Sequence, residues 1–123
     1  MAERNTRQKR AIQAVLATAE APLSVRDILL AARRDVPSLS QGTVYRVLKA
    51  LTAKGRVAIV QLPGEVPLYE VAGKSHHHFF RCRKCDHMYE IEGCSKVLRH
   101  LVPDEFQLED HEIFLFGLCP VCR

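Results

Sequence analysis

Apolar side chains recur with the period of a helix in the first part of this 123-residue chain. In three segments they occupy positions i, i+3, i+4 and i+7, which places them on one face of an α-helix. These segments cover residues 12–19, 25–32 and 44–51. The pattern therefore predicts three helices, each with one buried face.

Residues that start or stop helices flank these segments. Thr6 is the predicted N-cap of the first helix, and Ser24 that of the second, where Asp27 completes a capping box. Ser40 precedes the third helix, and Gly55 follows it as a stop signal.

The period changes after Gly55. Residues 57–62 and 67–71 are short apolar runs rich in β-branched side chains, and Pro63-Gly64-Glu65 lies between them. Two such runs on either side of a turn signal predict a β-hairpin. Three helices followed by a hairpin is the order of elements in a winged helix-turn-helix domain.

The second part of the chain mixes strand-like and helix-like segments. Residues 76–82, 88–92 and 112–118 are predicted strands, and residues 95–101 are a predicted short helix that ends before Pro103. The predicted fold class is therefore α+β, an N-terminal winged helix-turn-helix domain followed by a small α/β domain.

Charge and metal-ligand residues divide the chain at the same place. Residues 1–72 hold 11 Lys+Arg and 6 Asp+Glu, a net charge of +5, whereas residues 73–123 hold 7 and 8, a net charge of −1. All six His and all five Cys lie in the second part. We therefore expect two domains, residues 1–72 and 73–123, with different chemistry.

Composition excludes membrane and secreted classes of protein. Hydrophobic residues make up 47% and charged residues 26%, the balance of a folded domain. No apolar run approaches the roughly 18 residues of a membrane span, and no apolar signal segment follows the charged N-terminus. We expect a cytoplasmic protein without a membrane partner.

The third predicted helix has a basic outer face. Arg46 and Lys49 lie opposite its apolar stripe, and Tyr45 lies at its flank. Such a face fits the major groove of DNA, where Arg reads guanine and Thr or aromatic carbon contacts a thymine methyl group. An ordinary solvated helix face is the alternative. Basic residues near the N-terminus favour DNA binding, because they contact phosphates or a minor groove: Arg4, Arg7, Lys9 and Arg10.

Two Cys-x-x-Cys pairs, Cys82 with Cys85 and Cys119 with Cys122, have 33 residues between them. Two thiolates at this spacing bind one side of a metal ion, and two pairs complete a tetrahedral site. A redox pair and two disulfides are the alternatives, and disulfides fit poorly with a reducing cytosol. The spacing predicts a structural zinc site of four cysteines.

The run His76-His77-His78 falls in a predicted strand, where successive side chains point to opposite faces. His76 and His78 share one face, and His77 lies on the other with Phe79. The run therefore offers ligands to two distinct metal sites. A solvated polar tract is the alternative.

Together these motifs resemble the ferric uptake regulator (Fur) family of metal-dependent transcription factors, which includes zinc-sensing (Zur) members. The resemblance covers nearly the whole chain. It rests on Thr6-Arg7-Gln8-Lys9-Arg10, Gly42-Thr43-Val44-Tyr45-Arg46-Val47-Leu48, the His-rich run before Cys82-x-x-Cys85, and the closing Cys119-Pro-Val-Cys122.

The resemblance implies a homodimer of two-domain subunits, in which a hinge joins the winged-helix domain to an α/β dimerisation domain. It implies operator DNA as the partner and no small organic substrate. Tyr45 and Arg46 are expected to contact DNA, and the early Arg residues to lie near the minor groove. The full expected DNA-binding set is Tyr45, Arg46, Thr43, Lys49, Arg7 and Arg10.

The family's metal site at the hinge is depleted in this chain. Its ligand positions fall here on Glu70, His77, Phe79 and Glu90, and a further position before the second helix holds Pro22. Glu70, His77 and Glu90 remain as possible ligands, with water completing the coordination shell.

The family's other sensory site falls on His76, His78, Val97 and His111, so that one acidic ligand is absent. Cys94 lies three residues before Val97, about one helical turn. We expect Cys94 to replace the missing ligand, and a small buried apolar residue is the alternative. Imidazole and thiolate ligands together favour zinc over manganese or magnesium.

These features predict a zinc-responsive repressor that holds one structural zinc ion and a second, regulatory divalent metal. Sensing of iron, nickel or manganese is an alternative, as is a constitutive winged-helix protein whose zinc is only structural. A peroxide sensor is disfavoured by Glu90, where such members tend to have Asp. An enzyme is not expected, since a zinc deaminase needs His-x-Glu before Pro-Cys-x-x-Cys and the chain has neither.

Overall fold

The computed structural model of the chain describes residues 2–93 and 96–123. The expected role of Cys94, and the start of the helix predicted for residues 95–101, lie outside the described residues. The chain divides into two compact units, one ending at Gly73 and the other spanning Lys74–Arg123.

The first unit contains three helices and a hairpin in the predicted order. Helices α1, α2 and α3 span Ala2–Thr18, Val25–Ala32 and Gln41–Ala53, and strands β1 and β2 span Val57–Val60 and Leu68–Val71. The strands are antiparallel, with Val57 opposite Val71. Leu23 and Tyr69 exchange backbone hydrogen bonds of 2.9 and 2.8 Å, which extends the hairpin by one bridge.

The predicted caps of α2 and α3 are confirmed. The Asp27 amide donates to Ser24 Oγ at 3.1 Å, and the Ser24 amide donates to Asp27 Oδ2 at 3.3 Å, a reciprocal capping box. Ser40 Oγ accepts from the Thr43 amide at 3.2 Å. Gly55 ends α3 with a φ of +73°, a backbone conformation that residues with a side chain rarely adopt.

The predicted N-cap of α1 is wrong. The helix already begins at Ala2, so Thr6 lies inside it. Residues 2–10 contain no Gly or Pro, and most of them are good helix formers that propagate a helix without a cap at Thr6.

One hydrophobic core holds the first unit together, and it buries the apolar face of each helix. The predicted spacing is confirmed, because the buried set comes from all three stripes and from the α2–α3 connection. Its largest fully buried side chains are Ile12, Ile28, Leu39, Val44, Leu48 and Leu51.

The second unit is a three-stranded mixed sheet in the order β4-β3-β5. These strands span Met88–Glu92, His77–Cys82 and Phe114–Gly117, and a 3₁₀ helix spans Lys96–Leu101. Strand β3 pairs antiparallel with β4 and parallel with β5. The fold is α+β, as predicted. Among the described helices, none is long and apolar enough to cross a membrane.

The capping box at the start of α2 gives a test of local stability. We expect Ser24→Ala to lower the free energy of unfolding by about 1 kcal/mol, because the backbone amide of Asp27 at the helix start loses the Ser24 hydroxyl as its acceptor. Urea denaturation followed by circular dichroism measures the change. The matched control is Ser38→Ala in an exposed loop, which should stay within about 0.5 kcal/mol of wild type. An equal loss in both variants would contradict the role of the cap.

Candidate metal centres and nucleic-acid interface

The four cysteines of the two pairs converge at one end of the sheet. Cys82 ends β3 directly opposite Gly117 of the parallel strand β5, so the segments that leave both strands start side by side. The four Sγ atoms all lie within 4.8 Å of one another, and those of Cys85 and Cys119 are 3.9 Å apart. A tetrahedral zinc ion with Zn–S bonds of about 2.3 Å needs sulfur atoms about 3.8 Å apart. The set therefore fits zinc, and none of these thiols is in a disulfide.

The surroundings of these thiols favour binding of a cation. The backbone amide of Cys85 donates to Cys82 Sγ and is the main reason why the pKa of Cys82 is lowered to about 6. A hydrogen bond from the Tyr89 hydroxyl lowers the pKa of Cys119. Hydrogen bonding to Cys119 raises the pKa of Cys122 to about 12. Cys82 and Cys119 thus ionise readily, and their negative charge opposes ionisation of Cys122. A bound divalent cation would balance this negative charge and allow all four thiols to ionise.

A second candidate centre consists of three histidines. His78 lies on β3, His76 precedes that strand, and His111 precedes β5. The backbone amide of Phe79 donates to the carbonyl of Ile113 at 3.2 Å, which holds the segment after His111 beside β3. The Nε2 atom of His76 is 3.0 Å from that of His78 and 3.0 Å from that of His111, and the latter two are 3.2 Å apart.

This triangle of Nε2 atoms suits a metal ion better than it suits hydrogen bonding. Each Nε2 atom carries either one proton or one lone pair, so at most two of the three contacts are hydrogen bonds. Three lone pairs on one metal ion resolve the conflict, with nitrogen atoms about 3.3 Å apart for tetrahedral zinc. Burial of His78, which is 5% exposed, is the main reason why its pKa is lowered, and the neighbouring His76 and His111 add to the effect. These effects favour the neutral imidazole of His78, the form that binds metal.

His77 lies on the opposite face of β3 beside Glu90. Its Nδ1 atom donates to the Ser75 carbonyl at 2.7 Å, and its Nε2 atom is 3.5 Å from Glu90 Oε1. The same carboxylate oxygen accepts from Lys74 Nζ at 3.0 Å, a contact that the sequence did not indicate. Glu70 lies in the first unit, on β2, where it is 8% exposed.

The outer face of α3 presents the predicted DNA-binding side chains. Tyr45 is 50% exposed, and Arg46 and Lys49 are exposed beside it. Thr43 is instead only 9% exposed, and its Oγ1 accepts from Arg46 Nη2 at 3.0 Å. The geometry thus gives Thr43 an orienting contact with Arg46.

Two further cations join the basic surface of the first unit. The charge of Lys54 lowers the pKa of Lys9, with a smaller effect from Arg56, so these three side chains lie close together. Lys9 is far from Lys54 and Arg56 in the sequence, so the sequence alone does not indicate this cluster. Arg10 is exposed, and Arg7 Nη2 donates to the Asp35 carbonyl at 2.9 Å.

Comparison with known proteins points to one family. The chain matches the ferric uptake regulator family over residues 1–116. It is 36% identical over 95 residues to the transcriptional regulator FurA of Mycobacterium tuberculosis, a match that covers 75% of this chain and 65% of FurA. The chain thus spans just under two thirds of the length of that relative.

Two solved structures share the fold. A zinc-bound manganese uptake regulator has a TM-score of 0.79 and 24% identity, over 91% of this chain and 87% of that one. FurB of M. tuberculosis, described as a zinc uptake regulator, has a TM-score of 0.55 and 27% identity, over 98% of this chain and 95% of that one.

The four-cysteine centre gives a direct test. We expect Cys119→Ser to lower the zinc content by one ion per subunit and to unfold the second unit, because that unit has a small core. Elemental analysis and thermal denaturation measure the two effects. The matched control is Lys84→Gln in the exposed turn between Cys82 and Cys85, which should change neither. Retention of zinc by Cys119→Ser would contradict the assignment.

Proposed function

The chain belongs to the ferric uptake regulator family, and from this premise we propose that it is a zinc-responsive repressor that binds operator DNA as a cytoplasmic homodimer. The observation that carries this proposal is the convergence of three histidine Nε2 atoms in addition to a separate four-cysteine centre. A protein whose zinc is only structural would not need this second cluster of ligands. The basic α3 face supplies the DNA-binding surface.

Zinc is the proposed regulatory metal because of the ligand types. His76, His78 and His111 offer three imidazole nitrogens, and Cys94 is the proposed fourth ligand. Imidazole with thiolate favours zinc over manganese. The likeness to FurB, described as a zinc uptake regulator, supports the same choice.

Metal ligation by the three histidines would join two segments of the second unit that are far apart in sequence. His78 lies at the start of β3 and His76 directly precedes that strand, whereas His111 belongs to the segment before β5. A bound zinc ion would supply the charge that holds the three imidazoles together. We propose that this restraint favours the arrangement of the dimer that matches two operator half-sites, so that zinc shifts the population towards the DNA-binding state.

Exposed apolar residues of the second unit support the proposed dimer. Strand β5 and the residue after it expose large side chains to solvent in the single chain, although an edge strand of this kind normally needs a cover. A second copy of the same unit would bury them. The exposed side chains are Leu115, Phe116 and Leu118.

The proposed DNA contacts separate into base readout and phosphate binding. Arg46, oriented by Thr43, would read guanine in the major groove, and Tyr45 would contact a thymine methyl group. Phosphate contacts are proposed for Lys49, Arg7 and Arg10, together with the cluster of Lys9, Lys54 and Arg56.

The three-histidine centre predicts the metal response. We expect His78→Ala to lower the zinc content from two ions to one per subunit and to abolish zinc-dependent DNA binding. Zinc analysis and fluorescence anisotropy, with a duplex selected from a random pool by the zinc-loaded protein, measure both. His100→Ala, exposed on the 3₁₀ helix, is the matched control and should behave as wild type.

An unchanged metal response in His78→Ala would reject this sensor, and a wild-type content of one zinc ion would favour a constitutive winged-helix protein. The same titration with iron(II), nickel and manganese tests the alternative metals. Zinc titration of Cys94→Ser tests the fourth ligand, and unchanged stoichiometry and affinity would exclude it.

The exposed basic face of α3 predicts that removal of Arg46 weakens recognition of the DNA sequence. We expect Arg46→Ala to weaken binding to the selected duplex by about 1–3 kcal/mol and to relax the preference at one base position. Competition with duplexes that carry single base changes measures this preference. Arg99→Ala, which removes an exposed Arg from the second unit, should retain both affinity and preference. Equal effects of the two substitutions would indicate a general charge effect instead.

A further inference from the structure

An apolar cleft lies between α3 and the β1–β2 hairpin, and it adjoins the exposed basic face of α3. We propose that this cleft receives the methyl group of a thymine base, and that Ile59 on β1 is a specificity-determining residue for that base. The inference rests on the proposed function, and it deepens that function by naming a base preference that a residue outside α3 sets.

The hairpin supplies one wall of the cleft. Ile59 lies directly opposite Tyr69 in the β1–β2 register, so both side chains stand on the same face of the two strands. Ile59 is 51% exposed, whereas the next residue, Val60, is 8% exposed. The backbone of Tyr69 is held by its two hydrogen bonds with Leu23. This wall therefore presents apolar surface to solvent from a fixed backbone.

Helix α3 supplies the other wall. Tyr45, Lys49 and Ala53 follow one another at intervals of four residues, so they lie on one face of the helix. Thr52 lies beside them, and its hydroxyl donates to the carbonyl of Leu48 at 2.8 Å. That hydroxyl is therefore already used and is not free to donate to a base. The volume between the two walls is about 470 Å³.

The chemistry of the cleft selects among the groups that DNA presents. In the major groove all four bases offer hydrogen-bond donors or acceptors, and only thymine adds an apolar group, its methyl. A polar base edge placed against Ile59 would leave its hydrogen bonds unmade, which costs free energy. A thymine methyl has no such cost and gains from leaving water. The cleft is larger than one methyl group, so it would also take part of the adjacent deoxyribose.

The charged residues of the cleft favour DNA as its occupant. Arg46 and Lys49 belong to its lining and are exposed, and no acidic side chain lines it in the part of the chain that the structure describes. Phosphate groups that flank the thymine would balance these two cations, whereas an apolar protein partner would leave them uncompensated. The cleft is also continuous with the proposed reading face of α3, because Tyr45, Arg46 and Lys49 belong to both.

The test removes the methyl group from the DNA and its proposed contact from the protein. Each thymine of the selected duplex is replaced in turn by deoxyuridine, whose base differs from thymine only by that methyl group. At one position or more, we expect wild type to lose about fourfold in affinity and Ile59→Ala to lose less than about twofold, because one buried methyl group accounts for the difference. Fluorescence anisotropy with the zinc-loaded proteins measures the affinities, and circular dichroism checks that each variant folds.

The matched control is Leu30→Ala, which removes an apolar side chain of similar exposure, 56%, from α2 and outside the cleft. It should keep the sensitivity of wild type to deoxyuridine. Two results would overturn the inference: no position at which wild type responds to deoxyuridine, or the same response in Ile59→Ala as in wild type. If Ile59→Ala does not fold, Ile59→Thr decides by the same comparison, since its β-branched side chain suits a strand.

The proposed function is tested separately by the wild-type protein. If wild type binds the selected duplex only with zinc but responds to deoxyuridine at no position, the sensor stands and the inference about Ile59 fails. If wild type binds that duplex equally with and without zinc, the proposed metal response fails, and the comparison with Ile59→Ala still decides the inference. A random pool from which no preferred duplex emerges would overturn both.

Discussion

The parallel pairing of β3 with β5 is the constraint on which both candidate metal centres depend. It sets Cys82 opposite Gly117, which brings the two cysteine pairs together, and it sets Phe79 opposite Phe114, which brings His111 to His78. A slip of one residue would exchange the faces of β3 and present His77 in place of His76 and His78. A zinc ion on the four cysteines would fix this register, so we infer that the structural metal also preserves the geometry of the sensor.

The helices and the hairpin could be predicted because their signals are local. Capping at Ser24 and Ser40, the stop at Gly55 and the apolar stripes all act within a few residues. The start of α1 could not be predicted from its polar residues alone, since Thr6 resembles a cap but lies among residues that favour helix. The parallel partner of β3 is also not local, because β5 follows it by more than thirty residues.

The candidate sites could be predicted where the spacing of the ligands along the chain determines which side chains lie on the same side. The Cys-x-x-Cys spacing and the alternation of His76 and His78 on a strand follow from backbone geometry, and the structure brings these ligands together. Contacts between distant segments were missed for the opposite reason. Lys74 beside Glu90, and Lys9 beside Lys54, have no spacing signal, and burial of Thr43 follows from packing of α3 rather than from its position on the helix.

The two candidate centres differ in a way that suits two different tasks. Four thiolates saturate a tetrahedral ion and leave no open position, so a zinc ion there would exchange slowly and would support a unit of about 50 residues with a small core. The centre of three imidazoles offers no thiolate or carboxylate ligand among the described residues and has room for a further ligand. As the proposed regulatory site, it would therefore bind zinc more weakly than the four cysteines, and its occupancy could follow the zinc concentration. A metal-responsive repressor needs this difference in affinity. A site that never releases its metal stabilises the fold but cannot respond to a change in metal concentration.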